Sequence, residues 1–355
     1  MTADADLPAV EHALSAIFRR PVRPREIRAL AGDASTRRYY RVLLPPESGR
    51  DSVILMRYPD EIPAGTELPF LNVRRYFVKA NIPVPAVLAH FPEDRALWLE
   101  DLGDTMLEDQ VKADGVAACL PFYERCIEIL VRIQSDGTRI LDRDAIPAGL
   151  AFNVPKFAWE IDFFFEHAVR GFGGIPLSVR DERAIEDLLL PHLERLAALP
   201  RVLTHRDFHS RNFMVRENGD LVLLDFQDAR MGNVYYDLAS LLRDSYVTLP
   251  ETMEADLVYG WQSAASADLR RAAGDPSAFG YLLDLMALQR NIKAIGTFGN
   301  QAHVRGKRLY LQFIPPTVAH LARNFARNPE LRTLAGRLLP ILTALSQKAS
   351  GEASA

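Results

Sequence analysis

The sequence predicts an α+β protein of two unequal parts, a small five-stranded part followed by a mostly helical one. Three observations carry this. Short apolar runs with strand character all fall within the first hundred residues: Ile27 to Leu44 reads as strand, turn, strand, and Ser52 to Met56, Val87 to His90 and Ala96 to Glu100 follow. Beyond Glu100-Asp101-Leu102-Gly103 the apolar residues recur at helical spacing over long stretches. At 355 residues the chain is also long for a single core.

In chain order, Val10 to Phe18 is apolar at helical period and opens the first part. Gly32-Asp33-Ala34-Ser35 is the turn between the first two strands. Leu68 to Lys79 reads as a helix, which Asn81-Ile82-Pro83-Val84-Pro85 ends because proline lacks the N–H that would continue it. The Gly-containing connector at 100–103 is the best boundary, giving residues 1–102 and 103–355. In the second part helices are expected at Val116 to Gln134, Pro155 to Arg170, Asp181 to Leu199, Tyr235 to Tyr246, Ala278 to Ile295 and Gly306 to Ile314. A break at Pro315-Pro316 precedes a further one from Thr317 to Asn328. The tail Gly351 to Ala355 reads as disordered.

Composition narrows the class. A net charge of −4 argues against a dominant nucleic-acid footprint. The start, MTADADLPAV, has neither a positively charged segment nor an apolar one, and no run of about 18 apolar residues occurs. A cytoplasmic protein that neither crosses a membrane nor is secreted is expected. Cys119 and Cys126 lie seven apart on an expected helix, too far along its axis for a disulfide, and read as buried reduced thiols.

The chemistry concentrates in THRDFHSRNFMV, Thr204 to Val215, and in LVLLDFQDA, Leu221 to Ala229. Phosphoryl transfer to a hydroxyl needs one carboxylate to accept the hydroxyl proton, with an amide oxygen and a second carboxylate to hold Mg²⁺ against the phosphates. Asp207, Asn212 and Asp225 supply that set. Phe213 to Val215 and Leu221 to Leu224 read as strands joined by the Asn218-Gly219 turn, a hairpin that returns Asp225 toward Asn212. His205 and His209 flank the base and are expected to serve as scaffold.

These segments, together with GDASTRRYYRV, LWLEDLGD, LDFQDARMGNVYYDLASLLRD and LQRNIKAIGTF, resemble the aminoglycoside phosphotransferase and choline kinase family from about Leu30 to about Pro316. Within it, the chain is most similar to the anomeric kinases that phosphorylate N-acetylmuramate and N-acetylglucosamine at carbon 1 in cell-wall recycling. The resemblance implies a protein-kinase-like two-lobed fold with a nucleotide-binding lobe over residues 1–102 and a helical lobe over 103–355. It also implies ATP and Mg²⁺ as cofactors, a small amino sugar as acceptor, and a product passed on to a sugar-1-phosphate nucleotidyltransferase. Oligomeric state is not addressed by the sequence. Carried over residue by residue, Asp207 becomes the catalytic base and Asn212 and Asp225 the Mg²⁺ ligands. Gly32, Ala34, Ser35 and Thr36 become the turn over the ATP phosphates, where small residues let backbone N–H groups and hydroxyls approach phosphate oxygens. Backbone groups of Glu100, Asp101 and Leu102 would receive the adenine edge. Asp237 resembles the helix-start Asp that hydrogen-bonds the catalytic loop. Asp228 is a candidate for orienting Asp225 or meeting the substrate, with a structural ion pair as the alternative.

One departure stands out. Where kinases carry a third-strand Lys paired with a Glu on the next helix, this chain reads SVILMRYP, with Met56 at the Lys position and Phe70 near the Glu position. Losing both avoids stranding one buried charge. Arg38, Arg41 or Arg57 must then meet the phosphates, and a non-catalytic binding module is the competing reading. For the acceptor, Leu285 to Pro329 contains no Asp or Glu but holds Arg290, Lys293, Arg305, Lys307, Arg308, Arg323 and Arg327. A cationic aminoglycoside or choline is disfavoured on that ground, and a neutral or anionic sugar fits better. Arg211, Arg290 and Lys293 are the expected grips on a substrate carboxylate.

Overall fold

Alternating burial along Arg38–Leu43 and nearly continuous burial along Ser52–Arg57 set the position of each strand: the first faces a core on one side, the second lies inside the sheet. The computed structural model describes residues 7–30, 37–59, 62 and 66–353. Five antiparallel strands form one sheet, β1 (Glu26–Ala29), β2 (Arg38–Leu43), β3 (Ser52–Arg57), β4 (Val87–Phe91) and β5 (Ala96–Glu100), in the order β1-β2-β3-β5-β4. Helix α1 (Leu7–Phe18) lays Val10, Ala13 and Leu14 on Tyr40, Val42, Val53, Leu55 and Trp98 of the sheet. Two later strands, Phe213–Val215 and Leu221–Leu223, make a hairpin whose Gly219 has φ +81°, a conformation the Asn-Gly turn needs and other residues resist. Arg216 of that hairpin reaches Glu100 Oε2 at 2.8 Å.

The chain groups into two units. The first comprises Met1–Leu68, Val84–Asp104 and Met214–Leu224, and the second Pro69–Pro83, Thr105–Phe213 and Asp225–Ala355. Both the helix after β3 and the hairpin thus group away from their sequence neighbours.

The second unit is helical. It contains α2 (Pro69–Lys79), α3 (Leu107–Asp114), α4 (Leu120–Arg132), α5 (Thr138–Ile140), α6 (Val154–Phe164), α7 (Val179–Ala198), α8 (Tyr235–Leu242), α9 (Glu251–Ala264), α10 (Ala267–Ala273), α11 (Phe279–His303), α12 (Ile314–Arg327) and α13 (Arg332–Ala353). A two-stranded sheet of Val202–Thr204 and Arg230–Gly232 sits among them. Helix α11 is buried along most of its length and packs on α6, α8 and α12. Its Gly299 permits a close approach, since a Cβ there would lie 2.6 Å from Ala168 Cα. Phe70 and Phe77 of α2 close on Phe226 at 4.7 and 5.5 Å between ring centres.

Several elements differ from expectation. Helices α4 and α6 do not run on to Gln134 and Arg170 as regular α-helix but widen into π turns over Ile133–Gly137 and Phe165–Gly173. Pro315 and Pro316 do not break a helix: they occupy the first turn of α12, where the missing N–H groups are not needed. Gly306 to Ile314 holds a 3₁₀ turn, Arg308–Phe313. Helix α13, which includes Gly351 to Ala353, replaces the expected disorder of those residues, and Pro340 lies inside it. Cys119 and Cys126 are buried and unpaired, and burial pushes both thiols up. Among the described residues no helix is long and apolar enough to cross a membrane.

Candidate active site

The loop from Thr204 to Val215 is held at both ends by carboxylates. Asp237, in the first turn of α8, accepts hydrogen bonds from the N–H groups of His205 at 2.6 Å and Arg206 at 2.9 Å, as expected of a helix-start acid. Between them Arg206 takes φ +86°, a strained conformation that this double bond helps to hold. Asp244, just beyond α8, accepts from Ser210 N–H at 2.9 Å, Ser210 Oγ at 2.6 Å and Tyr246 N–H at 2.9 Å. Asp244 was not foreseen, although an acid directly after the apolar run of α8 needs a buried partner, and that was the available signal. His209 packs edge-on against Tyr246, and burial, then Arg290, holds its imidazole well below the usual range. A neutral, buried ring of this kind is scaffold.

Asp207 lies between the two clamps. Lys293 Nζ donates to its Oδ1 at 2.7 Å, while Arg206 Nε stands 3.9 Å from Oδ2, beyond hydrogen-bond reach. Burial works to raise the carboxyl, but Lys293 and then Arg206 outweigh it and hold it well below the usual carboxylate range. Asp207 is therefore ionised at neutral pH, with Oδ1 committed and Oδ2 facing no donor at bonding distance.

Asn212 donates its amide N–H to the Asp207 carbonyl at 2.7 Å, which fixes the side chain and orients its amide oxygen. Asp225 follows the hairpin in a left-handed conformation, φ +58°, and Gln227 Nε2 donates to its Oδ1 at 2.7 Å. An amide oxygen and a carboxylate are hard oxygen donors of the kind Mg²⁺ selects, so the donor set fits that ion.

Other expected residues fall elsewhere. Asp228 is exposed and meets Arg206 Nη1 at 3.4 Å. Arg211 makes a two-point pair with Glu108, at 2.5 and 3.2 Å, and its guanidinium lies over the rings of Tyr246 and Phe313. Arg290 is buried at 4% exposure and donates to Ser240 Oγ. Of the three expected carboxylate grips, only Lys293 reaches Asp207; the structure turns the other two toward internal partners. The acid-free stretch is likewise not a basic lining, because acids from other helices meet it. Arg323 pairs with Glu254 and Glu251, Arg327 with Glu251, and Arg308 with Glu352. The charge argument against a cationic acceptor is corrected on that point: linear charge balance did not reveal partners distant in sequence.

In the first unit, Gly32, Ala34, Ser35 and Thr36 lie outside the described residues. Arg38 and Arg57 are register partners on β2 and β3 and line a cavity of about 380 Å³ with Arg95. Arg41 is held by Asp101, with Nε to Oδ2 at 2.6 Å, and by Asp104, which takes it out of the expected phosphate-binding set. Asp101 also accepts from Ser52 Oγ at 2.6 Å and Gly103 N–H at 3.0 Å. Glu100 N–H is bonded to the Ala86 carbonyl at 3.0 Å, so the backbone groups offered from this connector exclude that donor. Leu102 follows within the same connector. Met56 is fully buried in β3.

Comparison with known proteins adds the following. The profile of the phosphotransferase enzyme family matches residues 26–274. The sequence is 33% identical over 329 residues to an N-acetylmuramate/N-acetylglucosamine kinase of Pseudomonas aeruginosa, a match covering 90% of this chain and 90% of that protein. A protein of the same name from Neisseria meningitidis is 30% identical over 331 residues, covering 91% of this chain and 92% of the relative. Among solved structures, the ADP-bound aminoglycoside phosphotransferase APH(2'')-Ib superposes with a TM-score of 0.59 at 15% identity, covering 90% of this chain and 99% of that one. The choline kinase LicA of Streptococcus pneumoniae gives 0.57 at 12% identity, with 89% and 98% covered. These two establish a shared protein-kinase-like two-lobed fold.

Proposed function

Because the chain belongs to the phosphotransferase enzyme family, we propose that it is an ATP- and Mg²⁺-dependent kinase that phosphorylates the anomeric hydroxyl of N-acetylmuramate and N-acetylglucosamine. The observation that carries this reading is the ionised Asp207, pinned at Oδ1 and open at Oδ2, in a chain that is 33% identical to a kinase of that name. Oδ2 accepts the proton of the acceptor hydroxyl. The hydroxyl oxygen bonds to the γ-phosphorus of ATP, the bond from that phosphorus to the bridging oxygen breaks, and ADP leaves.

A carboxylate held this far below its usual range is a weak base, which suits an unusually acidic hydroxyl. The anomeric hydroxyl is the most acidic on a sugar, so the proton can move late, as the oxygen–phosphorus bond forms. Lys293 keeps Asp207 charged and fixed in orientation, and of the expected trio it is the cation that meets the acceptor. Asn212 and Asp225 would hold Mg²⁺, which when bound neutralises charge on the phosphates. With Met56 unable to supply charge, Arg38 and Arg57 take the nucleotide phosphates, and the connector at Glu100, Asp101 and Leu102 receives the base. Asp228 steadies Arg206 beside the catalytic carboxylate. A sugar 1-phosphate made here is a substrate for a nucleotidyltransferase.

The test is a sugar panel with ATP and Mg²⁺, the product position read from phosphorus-coupled NMR. Phosphate on carbon 1 of both N-acetyl sugars is expected, with glucose poorer because it leaves acetamido-binding groups unpaired. Preference for choline or kanamycin, or phosphate on another carbon, would overturn the reading.

A further inference from the structure

A further group of side chains, on α6 and on the strand Arg230–Gly232, was not singled out by the sequence. On α6, Lys156 Nζ lies 3.7 Å from the centre of the Trp159 ring and 3.8 Å from Glu160 Oε1. Trp159 is half exposed, whereas the other two tryptophans, Trp98 and Trp261, are 1% exposed. Arg230, on the strand paired with Val202–Thr204, donates Nε to the Asp228 carbonyl at 3.3 Å and lies over the Phe152 ring. Among the described residues no carboxylate stands within ion-pair distance of Arg230.

Arg206, Arg230 and Lys293 repel Lys156, and Arg206 repels Arg230, while Glu160 attracts both Lys156 and Arg230 and Asp228 attracts Arg230. Lys293 and Arg206 have Asp207 and Asp228 beside them and Lys156 has Glu160, whereas Arg230 has no carboxylate at that distance among the described residues. Burial and the neighbouring cations push both the Lys156 ammonium and the Arg230 guanidinium down, so each carries a cost that an incoming anion relieves. Glu160 is 1% exposed, yet its Oε1 makes no hydrogen bond, while its Oε2 accepts from Gln289 at 2.7 Å. A buried acceptor, an exposed indole and a guanidinium with no carboxylate partner among the described residues are what a sugar bearing a carboxylate needs. The indole takes the C–H face of the ring and the guanidinium takes the carboxylate.

We propose that Lys156, Trp159 and Arg230 form the acceptor subsite, with Trp159 under the sugar ring and Arg230 and Lys156 on an acidic substituent. This rests on the kinase reading above, because that reading makes Asp207 the point where the acceptor hydroxyl arrives. It assigns selectivity between an acidic and a neutral amino sugar to residues other than Arg211 and Arg290.

The test uses the full chain with two readouts. Indole fluorescence is titrated with N-acetylmuramate and with N-acetylglucosamine in the absence of nucleotide, and kcat/KM is measured for both. Quenching is expected in the wild type and absent in Trp159→Phe. Arg230→Gln and Lys156→Met should each lose N-acetylmuramate activity about tenfold or more while N-acetylglucosamine changes less than about threefold. Equal losses on both sugars, or a raised ATP KM in these variants, would overturn the subsite and hand the cations to the nucleotide, while leaving the kinase standing. Quenching that depends on Arg230, in a protein that transfers no phosphate to either sugar, would support the subsite and remove the kinase reading.

Discussion

Lys293 Nζ donates to Asp207 Oδ1 at 2.7 Å, joining the middle of α11 to the loop from Thr204 to Val215 across 86 positions of sequence. Burial alone would raise the Asp207 carboxyl, and Lys293 is the largest influence in the other direction. Removing it in Lys293→Met should therefore move the acidic limb of the kcat–pH profile to higher pH. The wild-type base is ionised throughout the neutral range, whereas in the variant it becomes protonated at a higher pH and activity is lost sooner on acidification. An acidic limb that does not move would detach Lys293 from this role.

Asp207→Asn should lower kcat by about 10²-fold or more with the ATP KM roughly retained, since the base adds little to nucleotide affinity. Asp225→Ala should instead abolish Mg²⁺-dependent nucleotide binding in calorimetry. Unchanged MgATP affinity in that variant would point to another metal ligand or to a chain that binds without turnover.

Arg211 pairs with Glu108, whose side chain is 5% exposed. Arg211→Ala leaves that carboxylate with Lys112 as its remaining cation, so a loss of about 3 kcal/mol in denaturant unfolding is expected. Both sugars should be affected alike. Unaltered stability combined with selective loss of N-acetylmuramate activity would return Arg211 to the substrate.

Met56 is fully buried in the central β3, so a charge placed there is taken out of water. Met56→Lys should destabilise the protein by about 3–5 kcal/mol, the cost of an unpaired buried charge. Arg57→Ala or Arg38→Ala should raise the ATP KM about tenfold if these residues meet the phosphates. A stable Met56→Lys variant with tighter ATP binding would show that the kinase Lys had only been mislaid.

Much of this was legible in the chain because its signals are local. The five strands follow from two-residue alternation and short apolar runs, and Asp207, Asn212 and Asp225 from fixed spacing around an Asn-Gly hairpin. What escaped depends on partners distant in sequence. Helix α9 buries only Met253, Glu254, Leu257 and Trp261, a narrow stripe easily read as loop, and its Glu254 receives Arg243 and Arg323. That pairing is why the acid-free stretch misled. Pro340 hid α13, although leucines on either side of it keep helical spacing. Lys156 and Arg230 passed unnoticed because they lie outside every motif and far apart in the sequence.

His320 of α12 is 3% exposed, with Nε2 3.2 Å from the Asp244 carbonyl. Burial first, then Arg323 and Arg243, lowers its imidazole to about 4. The unfolded chain takes up a proton near pH 6.5 and the folded chain does not, so the neutral ring stabilises the fold above pH 6.5. That contribution is lost as pH falls toward 4 and amounts at most to about 3 kcal/mol. His320→Gln retains a donor for the Asp244 carbonyl without the titration. Its stability in urea should therefore fall less steeply than that of the wild type between pH 6.5 and 4.5, with the two differing little in slope above pH 7. Parallel slopes through the acid range would show that His320 charges in the folded protein and that another group sets its acid sensitivity.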